Sequence, residues 1–146
     1  MKVKLIVINL ILITVMSCSS VQKKNNDSFD TAITGKYWKL KTLEGKEVKV
    51  DKNQEREISI TLKTQDNRLT GFAGCNSVSG EFTLEEGNRI KFSKLVSTRM
   101  FCPNTDEPAF LKVLNLADNY TVKDDVLSLN VGRRAPLAIF EAVYFN

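Results

Sequence analysis

The chain reads as a mainly β domain with one α-helix: a small antiparallel sheet or open barrel of about seven or eight strands, covered by that single helix. Three observations predict it. Residues 57–64 alternate cleanly, with Ile58, Ile60 and Leu62 on one face and Ser59, Thr61 and Lys63 on the other, as in a strand with one wet face. Comparable short runs, punctuated by Gly, Asn and Asp, return roughly every 8 to 12 residues, the rhythm of a sandwich or barrel. One segment departs from it: in 104–118, Phe110, Leu114 and Ala117 fall at helical spacing with Leu111 beside them.

The elements follow in order. Residues 1–17 carry Lys2 and Lys4 and then an apolar run, 5–16, interrupted only by Asn9 and Thr14. The run is too short to span a bilayer and has the form of a signal peptide. It ends in Val15-Met16-Ser17-Cys18, which is similar to a bacterial lipobox, so Cys18 is the expected lipidated first residue of the mature chain. An ordinary signal peptide, or an uncleaved anchor that happens to hold a cysteine, is the alternative. Losing Lys2 and Lys4 leaves 19 basic against 17 acidic side chains and lowers the formal charge from +4 to +2. Lys23-Lys24 and Arg133-Arg134 are then the only basic pairs, and nucleic acid is not an expected partner. Residues 18–33 are too polar to bury a core and read as a lipidated cysteine and flexible tether, leaving 34–146 as one domain.

Within that domain, 36–43 is a strand with Trp38 and Leu40 inward, and 80–87 places Phe82 and Leu84 inward. The turn Glu86-Gly87-Asn88 leads back into 89–92 as a hairpin. The helix over 104–118 has Asn104 or Thr105 to cap it, Asp106 and Glu107 at the positive end of its dipole, and Pro108 in its first turn. Leu127, Leu129 and Val131 then point one way along 125–131. The last run, 136–145, is apolar on both faces, as in a central or wrapped strand, with Pro136 at its start.

Residues 71–80, GFAGCNSVSG, hold three glycines, Cys75 and Asn76. The spacing is neither that of a P-loop nor of a dinucleotide fingerprint, and no helix follows. A tight corner between strands fits better, with Gly74 and Gly80 in conformations that a Cβ resists and Asn76 closing a turn. The chain has no histidine, so neither a thiol–imidazole pair nor an ordinary zinc site can be assembled. With Cys18 carrying lipid, Cys75 and Cys102 remain in an oxidising compartment, where an even count reads as a disulfide; free or redox-active thiols are the alternative.

Taken together, YWKLKTLEGKEV (37–48), LTGFAGCNSVSGEF (69–82), IKFSKLVSTRMFC (90–102), the 108–117 helix and DDVLSLNV (124–131) resemble the META (HslJ-like) domain family. The resemblance runs from Gly35 to the C-terminus. It implies a small antiparallel β fold with a helix, an envelope or surface-attached location, a Cys75–Cys102 disulfide and no established reaction. Trp38, Gly74, Asn76, Gly80, Thr98 and Met100 are the accompanying motif positions, and Phe101 departs from the small residue more usual there.

The expectation for function is therefore a lipid-anchored, non-enzymatic envelope protein at the outer membrane facing the periplasm, monomeric, without cofactor or metal. It would act through protein contacts, in envelope or heat stress. A lipid- or small-ligand-binding module is the alternative, with a cavity walled by Leu69, Phe72, Phe82, Phe92, Phe110 and Phe140. A thiol oxidoreductase is the enzymatic alternative. Glu85-Glu86 and Asp124-Asp125 sit in expected turns and read as solvated edges, since neighbours along a strand face opposite ways.

Overall fold

The computed structural model describes residues 32–49, 56–103 and 105–145. Cys18, the signal peptide and Asn104 lie outside the described residues. Nine antiparallel strands form one sheet: β1 (Tyr37–Leu43), β2 (Lys46–Glu47), β3 (Ser59–Leu62), β4 (Arg68–Phe72), β5 (Ser77–Glu85), β6 (Arg89–Ser97), β7 (Asn119–Lys123), β8 (Val126–Asn130) and β9 (Ala138–Val143). The helix α1 (Glu107–Leu116) runs between β6 and β7. The fold is mainly β with one helix, as expected, and the sheet closes on itself into a ring because β9 also pairs with β1, with Tyr37 opposite Val143 and Leu40 opposite Phe140.

Closure follows from the sequence of β9. Its inner face carries the buried Ala138 and Phe140 with Ala142 half-buried beside them, which seats it against the core, and with no proline inside the strand its backbone can pair with β8 on one edge and β1 on the other. The weak joint is β6–β7, whose register has the single pair Arg89–Asn119. There α1 packs over the opening with Phe110, Val113, Leu114 and Ala117 buried. These positions make one helical stripe; Val113 takes the inward place that spacing gave to Leu111, which is half-buried. The helix starts at Glu107 with Asp106 at the N-cap and no side-chain capping bond, later than a cap at Thr105 requires.

The ring is filled by its own side chains. Trp38, Phe82, Phe110, Phe140, Ile60, Leu62, Leu69, Leu127 and Leu129 are all fully buried, and Phe110 meets Phe140 edge-on at 6.3 Å between centroids. Five of the six side chains expected to wall a cavity belong to this core. Phe72 is different. Leu69 and Gly71 share the inner face of β4, so Phe72 faces outward, opposite Ser59 and under the Arg56 guanidinium, 4.4 Å from its ring centroid. That cover also explains why Ser59, expected on a wet face, is buried. The packed chain begins just ahead of Thr34: Ile33 is fully buried, and its carbonyl accepts the Trp38 indole N–H at 2.8 Å.

Two glycines in the strands matter for contact rather than for conformation. A Cβ on Gly71 would collide with the Ser59 carbonyl of β3, so the strand pair can close only over a bare backbone. A Cβ on Gly80 would lie 2.8 Å from Leu95 and 2.9 Å from the Ser93 carbonyl. Gly80 thus corrects the expectation that it supplies an unusual backbone angle. It makes room for the bulge in β6, where Lys94 has φ 50° and the register with β5 shifts.

Candidate functional site

The corner between β4 and β5 is short: Ala73 to Asn76, closed by the Ala73 N–H on the Asn76 carbonyl at 2.8 Å. Gly74, at φ 99°, takes a conformation that an L side chain rarely adopts. The turn aims Cys75 and Asn76 at the segment that leaves β6. Cys75 is bonded to Cys102 with their Cα atoms 6.1 Å apart, so the disulfide joins the corner to the approach of α1.

Asn76 does the rest. It is 4% exposed, and every hydrogen-bonding position of its side-chain amide is filled. Its Oδ1 accepts from the Thr98 hydroxyl at 2.7 Å and the Met100 N–H at 2.8 Å. Its Nδ2 donates to the Met100 carbonyl at 3.1 Å and to Glu107 Oε2 at 2.9 Å. The Asn76 N–H also reaches Glu107 Oε2, at 3.2 Å. Thr98 Oγ1 accepts in turn from the Ser77 N–H at 3.2 Å, and the Thr98 N–H continues the ladder onto the Ser77 carbonyl at 3.1 Å. Two donors facing carbonyl and carboxylate, and two acceptor sites facing N–H and O–H, fix the orientation of the amide.

Gly74, Cys75, Asn76, Thr98, Met100 and Cys102 are thereby brought into one node. Gly80 lies outside it, further along β5 opposite Leu69 and against Leu95, and Trp38 is elsewhere, in the core on β1. Met100 contributes its backbone to Asn76, while its side chain is 63% exposed and that of Phe101 is 92% exposed. Glu107 was visible in the sequence only as a favourable charge at a helix start. Its second task, bonding a residue 31 positions away, has no local signal.

A second polar group lies at the end of the ring where the chain enters. Lys36 Nζ bonds Asp125 Oδ1 at 2.9 Å, and the Tyr144 hydroxyl donates to the same oxygen at 2.7 Å. Asp124 and Asp125 form the two-residue turn between β7 and β8, both at positive φ, 49° and 61°. Asp125 is therefore no idle solvated edge. The Tyr144 hydroxyl, then the Lys36 ammonium, hold its carboxyl below the ordinary 3.8, against a smaller desolvation effect. Reciprocally, the bond to Asp125 raises Lys36 above 10.5. Phe145 packs edge-on against Tyr37 at 5.2 Å, so this rim presents aromatic rings around a fixed ion pair.

Elsewhere, a groove of about 240 Å³ lies between the end of α1 and the β5–β6 hairpin, lined by Glu85, Arg89, Lys91, Asn115 and Leu116 among others. It is separate from the node. Among the described residues no group of three Cys, Asp or Glu side chains is placed to hold a metal ion. None of their helices is long and apolar enough to cross a membrane.

A closed antiparallel ring with a helix across its seam and a disulfide-pinned corner defines a small all-β module with one covering helix. The chain belongs to the META domain family, whose model matches residues 31–144. It is similar to a protein from Burkholderia xenovorans solved by NMR, at 26% identity and a TM-score of 0.62 over 81% of this chain and 88% of that one. A second NMR structure aligns at 21% identity and a TM-score of 0.60, covering 77% of this chain and 92% of the other. The crystal structure of a DUF4847 family protein from Bacteroides vulgatus shares the fold at 16% identity and a TM-score of 0.50, over 77% and 94% of the two chains. No curated protein matches the chain.

Proposed function

We propose that the protein is a lipid-tethered, non-enzymatic domain of the bacterial envelope, held through Cys18 at the outer membrane facing the periplasm, and that it works by contact with another envelope protein. A role under envelope or heat stress is part of the proposal. The observation that carries it is the saturation of the node. Both domain cysteines are spent on the disulfide and all four positions of the Asn76 amide are spent on structure, so the motif residues serve architecture instead of presenting a nucleophile or base. The aromatic rim is the contact surface we favour. Tyr144 and Phe145 are exposed, held by Asp125 and Tyr37, and aromatic side chains prepositioned in this way are characteristic of interface anchors.

Two measurements test this. Cys18→Ser should move the protein from the membrane to the soluble fraction of cells; an unchanged distribution removes the tether. A photoreactive residue in place of Phe145 should give one dominant protein adduct in intact cells. The same diffuse pattern from that position and from exposed Lys63 would end the contact reading.

A further inference from the structure

We infer that the Met100–Phe101 segment is a second attachment point, one that enters the interface of an anionic bilayer beside the lipid anchor. The inference rests on the tethered reading above for bringing the domain to a membrane. Three apolar side chains stand out of the surface in one stretch: Val96 at 62%, Met100 at 63% and Phe101 at 92% exposure. A ring this exposed projects beyond its neighbours instead of lining a pocket, a shape that a fluid interface accepts more readily than a complementary protein face.

The segment is also rigid before it meets anything. The disulfide at Cys102 follows Phe101 directly, and Met100 is gripped through both its N–H and its carbonyl by Asn76. Insertion therefore loses little conformational entropy.

Charge selects the occupant. On the stretch of β6 that leads into the segment and on to Thr105, the charged residues are Lys94 and Arg99, with no acidic residue before exposed Asp106. Lys94 is committed to Glu81 at 2.9 Å, and Glu107, across the corner, is committed to Asn76. Arg99, beside Met100, is exposed and forms no ion pair among the described residues, so it suits anionic headgroups.

The distance is within reach. The chain enters the ring where the Gly35 N–H bonds the Leu62 carbonyl, and the corner lies at the other end of β4, about 17 Å away for a strand of this length. The 14 residues from Cys18 to Thr31 can extend to about 45 Å, so lipid and segment can engage one bilayer together.

The test uses the chain from Ser19 to Asn146, which keeps the whole core from Ile33 to Phe140 and lacks the lipid anchor, so that any binding comes from the domain itself. Trp38 is the only tryptophan and is fully buried, which makes Phe101→Trp a clean reporter. With phosphatidylglycerol/phosphatidylethanolamine vesicles at low salt its emission should shift to the blue and the protein should co-sediment. Pure phosphatidylcholine or high salt should abolish both. Phe101→Ser, and separately Arg99→Glu, should each weaken binding about tenfold or more while leaving the disulfide formed. Emission unmoved by the anionic vesicles, or binding indifferent to Phe101→Ser, overturns the inference. A protein adduct from a photoreactive residue at 101 in cells, with no vesicle binding, would assign the segment to a protein partner instead. Because the chain tested lacks Cys18, this result is independent of the Cys18→Ser fractionation.

Discussion

Asn76 shows how much one short amide can organise. Four elements of the chain meet at it: the corner, the end of β6, the segment before the disulfide and the first turn of α1. Asn76→Asp is nearly isosteric but replaces a donor with an acceptor facing the Met100 carbonyl and the Glu107 carboxylate. It should cost more than Asn76→Ala, about 2 kcal/mol or more, read as a lower urea midpoint with the disulfide intact. An aspartate variant as stable as wild type would mean that the amide is not held as described. The sequence offered Asn76 as a turn residue tolerant of left-handed geometry. In the structure Gly74 takes that geometry, and the side chain of Asn76 is what the fold uses.

The elements differ in how openly the sequence declares them. β1, β3, β5, β8 and β9 have alternating or doubly apolar runs, and each was readable from that pattern. β4 was hidden because Gly71 resembles a turn signal, whereas its missing Cβ is what admits the backbone of β3. β7 is half-hidden for another reason: only Tyr120 is buried within it, and its pairing to β6 is too brief to demand a pattern. α1 was recognised by its spacing, yet its true start depends on Glu107 reaching Asn76, a tertiary bond without a local trace. The disulfide ties this helix to the corner across 27 residues of sequence. Replacing Cys75 and Cys102 together by serine should remove about 3.5 kcal/mol of stability by the loop-entropy argument. Chemical denaturation of the double variant checks this, and a loss below about 1 kcal/mol would show that the node holds the loop closed by hydrogen bonds alone.

Over the whole molecule, the cluster of Lys36, Asp125 and Tyr144 joins the entrance of the chain, the β7–β8 turn and the C-terminal end. Its stabilisation has a defined pH window. Asp125 has a lowered carboxyl pKa, so its contribution is present above 3.8 and is lost as the pH falls through its folded value. Lys36, raised above 10.5, contributes below that value and loses it as the pH rises through its own folded value. Tyr144→Phe removes the largest cause of the Asp125 shift. The stability difference from wild type should be steady near neutral pH and shrink once the pH falls below 3.8, measured by urea unfolding at each pH. A difference that persists unchanged in acid would locate the effect of Tyr144 in packing.

The pairing of β9 with β1 has a consequence for the order of the chain itself. Tyr37 and Val143 are register partners, so the two ends of the domain are neighbours. α1 ends at Leu116 and β7 begins at Asn119, so the chain is nearly continuous across the weak joint as well. If the native ends were joined and the chain reopened there, it would pass through β7, β8 and β9, then β1 to β6 and the helix, still meeting each strand beside the last apart from the short spur of β2. The direction of travel is fixed by pairing; the starting point is only where the circle happens to be broken.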